Sequence, residues 1–289
     1  MTIVRTRADL RAALDSARRA GRTIGLVPTM GALHEGHLSL LRAARRRCEV
    51  VVMSLFVNPK QFGPGEDLEA YPRDEAGDVA LAEAEGVDLV YAPTVAEVYP
   101  EGFATVVEVG GGLTEVLDGD PAQRGPEHFR GVTTMVAKLL NAVQPDLAFF
   151  GQKDGQQAVI IRRMVTDLDF PVEVVVVPTV READGLALSS RNAYLDSADR
   201  RRAVALSRAL RAAEQVAASG ERSTAVALEA AREELRSAGI EPEYLEAREA
   251  DGLAPAQSFN GRPVMIAVAA RVGKARLIDN VVIKEGEES

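Results

Sequence analysis

An α/β fold, with a Rossmann-like parallel sheet in an N-terminal domain of residues 1–179 and a smaller α+β domain over residues 180–289, is predicted by three observations. Short apolar runs at residues 24–27, 50–57 and 87–91 alternate with segments whose apolar residues recur at helical spacing. The run at 50–57 is continuously apolar and β-branched, as a parallel strand buried on both faces requires. After Pro178-Thr179 the pattern changes to two Ala-rich helical stretches followed by three strand-like runs.

Taken in order, residues 8–20 read as an amphipathic helix rich in Ala and Arg, leading through Gly21 into the first strand. A glycine-containing turn, Pro28 to His37, joins that strand to a helix ending near Arg47. The strand at 50–57 completes a right-handed crossover unit. Residues 58–73 carry three prolines and two glycines, too long and too irregular for an ordinary α/β connection, and read as a binding loop or lid. A helix over 74–85 and a strand over 87–91 continue the alternation. Residues 93–103 read as loop, 105–109 as a short strand closed by Gly110-Gly111-Gly112, and 117–130 as an irregular segment. Gly131 opens a helix reaching Val143, an apolar strand ends at Gly151, a helix spans 156–168, and a strand covers 172–177. The second domain reads as helices over 197–218 and 223–238 and strands over 243–249, 264–270 and 275–283. No internal repeat is present.

The densest chemistry lies in Pro28-Thr29-Met30-Gly31-Ala32-Leu33-His34-Glu35-Gly36-His37. A strand, a tight turn and a helix start aim backbone N–H groups and the positive end of a helix dipole at one spot, which favours a phosphate. His34 and His37, three positions apart, project to nearly the same side. His-x-x-His is also half of a zinc site, but with three histidines and one cysteine in the chain, carboxylates would have to complete it. A structural turn closed by Gly31 and Gly36 is a further alternative. Downstream, Gly151-Gln152-Lys153-Asp154 places a cation and an acid after a strand, suited to phosphate oxygens and to magnesium or a ribose hydroxyl, or forming an ordinary exposed pair. Ser189-Ser190-Arg191 offers hydroxyls and a planar guanidinium in what is otherwise a solvated loop. His128 reads equally as a packed and as a functional histidine.

Four of these strings resemble, in order, motifs of the pantothenate synthetase family, ligases that join pantoate to β-alanine within the HxGH nucleotidyltransferase superfamily. His34-Glu35-Gly36-His37 alone indicates only the superfamily; the longer turn, Asn58-Pro59-Lys60-Gln61-Phe62, His128-Phe129-Arg130-Gly131-Val132 and Phe150-Gly151-Gln152-Lys153-Asp154-Gly155-Gln156-Gln157 are more specific. The resemblance implies ATP contacts at Met30, Gly31, His34, His37, Gly151, Gln152, Lys153, Asp154, Val180, Leu188, Ser189, Ser190 and Arg191. It implies a pantoate pocket at Gln61, Gln157, Met30 and Val132. It implies catalysis by His37, His34, Lys153 and Arg191, with Asp154 as a ligand of Mg2+. The Ser-Ser-Arg string resembles the family's second phosphate-binding loop, counterpart of the lysine-serine loop of related adenylating enzymes. Gly155 departs from the pattern, where a larger and often aromatic residue is expected; it weakens the helix start and is expected to leave room in the pocket.

The resemblance implies two steps: pantoate's carboxylate attacks the α-phosphorus of ATP to give pantoyl adenylate and pyrophosphate, then β-alanine displaces AMP. The competing readings are another nucleotidyltransferase of the superfamily, against which the Gln61 and Gln157 motifs argue, and a non-catalytic ATP-sensing module, against which the histidines, Lys153 and Arg191 argue. Lys and Arg total 34 against 43 Asp and Glu, a net charge of -9, which argues against nucleic acid as the main partner. The partners expected are therefore ATP, pantoate and β-alanine, with a homodimer expected from the family. The single cysteine, Cys48, permits no internal disulfide. No signal-peptide core and no membrane-length apolar run is seen, so a soluble, cytoplasmic protein is expected.

Overall fold

A computed structural model describes residues 1–63, 66 and 68–284. Its elements run β1 (Thr2–Val4), α1 (Arg7–Arg19), β2 (Ile24–Thr29), α2 (Glu35–Arg47), β3 (Val50–Leu55), α3 (Glu75–Ala84), β4 (Leu89–Tyr91), α4 (Val95–Val98), α5 (Pro126–Val143), β5 (Leu147–Gly151), α6 (Gly155–Asp167), β6 (Glu173–Val177), α7 (Ser197–Ala218), α8 (Thr224–Ser237), β7 (Pro242–Glu249), β8 (Val264–Val272) and β9 (Ala275–Ile283). The chain forms two compact units. One comprises residues 1–151 and 160–178, the other residues 152–159 and 179–289, so that α6 begins in the second and ends in the first.

The first unit is built on a six-stranded sheet of order β1-β4-β3-β2-β5-β6, with every described pairing parallel. From β2 the chain steps outward through β3 to β4, then returns to the other flank of β2 with β5 and β6. That reversal makes a topological switch point between β2 and β5, whose carboxyl ends are where an open α/β sheet binds ligands. The strands are legible as apolar runs because both of their faces are covered: Leu26, Val27, Val51, Val52 and Phe149 have no exposed surface. Burying one such side chain stabilises by roughly 1.5–3 kcal/mol.

The second unit packs α7 and α8 against the antiparallel sheet β7-β8-β9. The helices meet through Ala203, Ala209, Ala213, Ala227 and Ala231, each without exposed surface, so small side chains set a close approach while Leu206 and Leu210 fill the space above Ile266 and Val268.

Two expectations change, and one strand is added. Residues 105–109 form no strand; Val107 exchanges its main-chain hydrogen bonds with the hydroxyls of Thr133 and Thr134 on α5 instead of with a neighbouring strand. Helix α5 starts at Pro126 rather than Gly131, with Gly125 at φ +79 before a proline at the first helical position, so His128 lies inside the helix. β1, an edge strand beside β4, precedes the first element expected from the sequence. Of the loop over residues 58–73, Pro59–Gln61 is a 3-10 turn, whereas residues 64, 65 and 67 lie outside the described residues. No helix among the described residues is long and apolar enough to cross a membrane.

Candidate active site

In the first unit the turn after β2 is held from below by a buried carboxylate. Asp78 of α3 is 4% exposed and accepts the N–H of Ala32 at 3.0 Å and of Leu33 at 2.7 Å. Gly31 has φ +87, and a Cβ there would stand 2.8 Å from Asp78 Oδ2 and 3.0 Å from Leu55 Cδ1, so only glycine allows the turn to sit on that carboxylate. These N–H groups are therefore turned inward to an acid.

His34 is the N-cap of α2 and His37 its third residue. His34 Nδ1 accepts the N–H of Gly36 at 3.1 Å, and His37 Nδ1 accepts the N–H of His34 at 3.3 Å. Two imidazoles thus form a reciprocal capping box, a role more often filled by Ser or Thr with Glu. An Nδ1 that accepts carries no proton, which puts the proton of each ring on Nε2. The rings lie 4.2 Å apart, tilted by 39°. The zinc alternative finds no support, since no group of three or more His, Cys, Asp or Glu placed to hold a metal occurs among the described residues.

Gln61 lies against this turn, its Nε2 donating to Met30 Sδ at 2.9 Å. Two residues missed by sequence reasoning place it. Asn58, 1% exposed, donates to Gln61 Oε1 at 3.0 Å and to Gly131 O at 3.1 Å, and accepts from the Tyr99 hydroxyl at 2.7 Å. A Cβ at Gly131 would collide with the Lys60 carbonyl, so this glycine lets the 3-10 turn lie directly on α5 beside the buried Val132. Arg124 forks onto Glu66 at 2.8 and 2.9 Å and also donates to Gln61 O at 3.3 Å.

His128 resolves as a packed histidine. Its Nδ1 lies 2.7 Å from Gln61 O and its Nε2 3.0 Å from Arg124 Nη1. A carbonyl only accepts and a guanidinium only donates, so the ring is neutral with its proton on Nδ1. Burial, reinforced by the Arg124 charge, pushes its pKa down to about 4. Its task is to hold the main chain at Gln61.

In the second unit, the 3-10 turn Gln152–Asp154 runs into α6. Lys153 Nζ lies 3.9 Å from Asp154 Oδ1, with the Asp154 side chain 49% exposed. The carboxylate is thus open to a cation held chiefly by phosphates, the usual manner of Mg2+. Gln157 is half-buried on the next turn. At Gly155 the expected spare room is absent, because a Cβ would stand 2.7 Å from Met265 Sδ and 3.1 Å from Asn280. A methionine fills the volume that a larger side chain at 155 would take.

The segment from Val180 to Leu188 is a small hairpin. Leu188 N–H donates to Val180 O at 3.0 Å, and Arg181 bridges Ala187. Ser189 caps the 3-10 turn Ser190–Tyr194, its Oγ accepting the Arg191 N–H at 3.3 Å. Ser189, Ser190 and Arg191 are all half-buried there. Met30, Gly31, His34, His37, Gln61 and Val132, with Gly151 at the end of β5, belong to the first unit. Gln152, Lys153, Asp154, Gln157, Val180, Leu188, Ser189, Ser190 and Arg191 belong to the second.

Comparison with known proteins matches this chain over residues 2–282 to the family described as pantoate-beta-alanine ligase. The pantothenate synthetase of Moorella thermoacetica is 55% identical over 285 residues, 98% of this chain and 99% of that one. The crystal structure of pantothenate synthetase from Thermus thermophilus shares 52% identity with a TM-score of 0.90, covering 97% of this chain and 99% of that chain. The pantoate-beta-alanine ligase of Francisella tularensis, solved with beta-gamma ATP and beta-alanine, shares 32% identity with a TM-score of 0.80 over 98% of this chain and 97% of that chain. Similarity of this extent, running from Thr2 to Val282 and through every motif that builds the turn, the loop and the hairpin, makes the chain a member of the pantoate-beta-alanine ligase family.

Proposed function

We propose that the chain condenses pantoate with β-alanine at the expense of ATP, by way of pantoyl adenylate. One carboxylate oxygen of pantoate attacks the α-phosphorus, and the bond to the bridging oxygen of pyrophosphate breaks. The amine of β-alanine then attacks the acyl carbon, AMP leaves with its oxygen, and the amine loses a proton. The observation that carries this reading is the paired imidazole cap at the switch point: both Nδ1 atoms are committed to the helix backbone, which fixes the rings and their Nε2–H donors.

The first step brings a carboxylate toward a polyanion, so the protein's task is to position the two and to neutralise charge. In this reading His37, with His34 beside it, donates hydrogen bonds to phosphate oxygens as charge develops, while Lys153 and Arg191 supply fixed positive charge. Met30, Gly31, Gly151, Gln152, Asp154, Val180, Leu188, Ser189 and Ser190 contact ATP. Gln61 and Gln157 bind pantoate, with Met30 and Val132 against its methyl groups. Mg2+ would be held by Asp154 together with the phosphates, where it adds charge neutralisation; the open carboxylate of Asp154 fits that role. Residues 1–179 are assigned the ATP and pantoate chemistry of the turn, and residues 180–289 the second phosphate-binding loop.

The proposal includes a homodimer, the commonest closed assembly, working in the cytoplasm, in keeping with a single cysteine and no disulfide. Its test is isotopic. Pantoate labelled with 18O in the carboxylate should transfer one label to AMP and keep the other in pantothenate. AMP without label would overturn the adenylate route.

A further inference from the structure

β9 carries two polar residues, Asp279 and Asn280, between Leu277-Ile278 and Val281-Val282. They are 3% and 5% exposed. Asp and Asn are poor strand formers and costly to bury unless every polar atom is matched. Here the matching is nearly complete, and its partners are the elements to which the ATP phosphates have been assigned.

Asn280 Nδ2 donates to Gln152 O at 2.8 Å and to Lys153 O at 2.9 Å, and its Oδ1 accepts from Gln152 Nε2 at 2.7 Å. One side chain thus holds two successive carbonyls of the turn that carries Lys153 and Asp154. Asp279 receives Arg181 as a fork, at 2.6 Å from Nη1 and 3.0 Å from Nη2, and its Oδ1 also accepts its neighbour's N–H at 2.8 Å. Arg181 opens the Val180–Leu188 hairpin and donates back to Gly185 O at 3.3 Å within it. Successive residues of a strand face opposite sides of the sheet, so a two-residue step of β9 fixes the lysine turn with one side chain and the hairpin with the other. The fork also matches Arg181 to a carboxylate, which separates its role from that of Arg191 beyond the hairpin.

We propose that Asp279 and Asn280 are positioning residues for phosphoryl-group chemistry, Asn280 acting through Lys153 and Asp279 through the hairpin that leads to Ser189 and Arg191. This rests on the reading of Lys153 and Arg191 given above. A buried pair that served stability alone would be replaceable by apolar residues without change in the chemical step.

The test uses the full chain and pantoate-dependent exchange of labelled pyrophosphate into ATP. Asn280→Asp is isosteric but sets an oxygen against the carbonyls of Gln152 and Lys153. It should lower the exchange kcat by about a hundredfold, the scale of a small misplacement at a reacting group, while the KM for pantoate stays within about twofold. In a Lys153→Ala background the same change should add almost nothing, because the group it positions is gone. Asn280→Ser, milder and able to donate one hydrogen bond, should lose about tenfold and covers the case in which Asn280→Asp does not fold. Asp279→Asn should also lower kcat, with a normal response to Lys153→Ala. Exchange at the wild-type rate by folded Asn280→Ser, or full additivity with Lys153→Ala, would overturn the proposal. A wild-type chain with no pantoate-dependent exchange would overturn the reading beneath it instead, and the two failures are read from different samples.

Discussion

Asp78 is the keystone of the turn after β2, and its removal has a calculable effect. Each of its oxygens accepts one main-chain N–H, from Leu33 at 2.7 Å and Ala32 at 3.0 Å, and the carboxylate is 4% exposed. In Asp78→Ala both donors lose their partner, and a buried donor left unsatisfied costs about 1–3 kcal/mol, so the pair amounts to roughly 2–6 kcal/mol. Asp78→Asn keeps one acceptor and turns an NH2 toward the other N–H, so about half of that loss is expected. The consequence for function follows from the chain: the freed turn is the one whose end supports the His34–His37 cap. Urea unfolding measures the stability, and pyrophosphate exchange measures the turn. We expect Asp78→Ala to lose at least about 2 kcal/mol, Asp78→Asn less, and exchange to fall in the same order. A loss below about 1 kcal/mol in Asp78→Ala would refute the reasoning, since that is the net worth of a single ordinary hydrogen bond.

Three further outcomes are expected. The folded His128 pKa of about 4 lies below its ordinary 6.5, so the unfolded chain binds the extra proton between these values. Its contribution is complete above pH 6.5 and is lost as pH falls toward 4, by roughly 3–4 kcal/mol at the limit, so unfolding of His128→Asn should show a flatter pH dependence in that window. Gly155→Tyr should destabilise by roughly 1–3 kcal/mol through its collision with Met265, and Met265→Ala in the same chain should restore part of the loss, as a double-mutant cycle by thermal unfolding would show. His37→Ala should lower the exchange kcat by about 10²–10³-fold, with His37→Gln less impaired because its amide still supplies a donor.

The central strands were legible because burial on both faces leaves only apolar residues to choose, as in Val50–Leu55. The short edge strand Thr2–Val4 was not, since three residues with two exposed carry no periodic signal. Residues 105–109 have the composition of a strand, but whether such a run pairs depends on a neighbour, and Thr133 and Thr134 took that place. The true start of α5 is available in Gly125-Pro126, a helix-opening pair that signals the boundary better than Gly131 does. In the candidate site, the residues that the sequence proposes stand in short dense strings: His34 and His37, Gln61, Lys153 and Asp154, Ser189 to Arg191. Those that hold them in place were missed, because their partners are remote in sequence. Asp78 lies 46 residues from Ala32, and Asn280 lies 128 from Gln152. A buried polar residue within an apolar strand, such as Asp279-Asn280 on β9, is the one local sign such residues leave.

Exchange of labelled pyrophosphate into ATP, with magnesium and pantoate present and β-alanine withheld, tests the central claim most directly. The adenylate route predicts exchange that requires pantoate, followed by AMP release only when β-alanine is added. ATP bound without exchange, or AMP formed only when all three substrates are present and with no exchange beforehand, would contradict it.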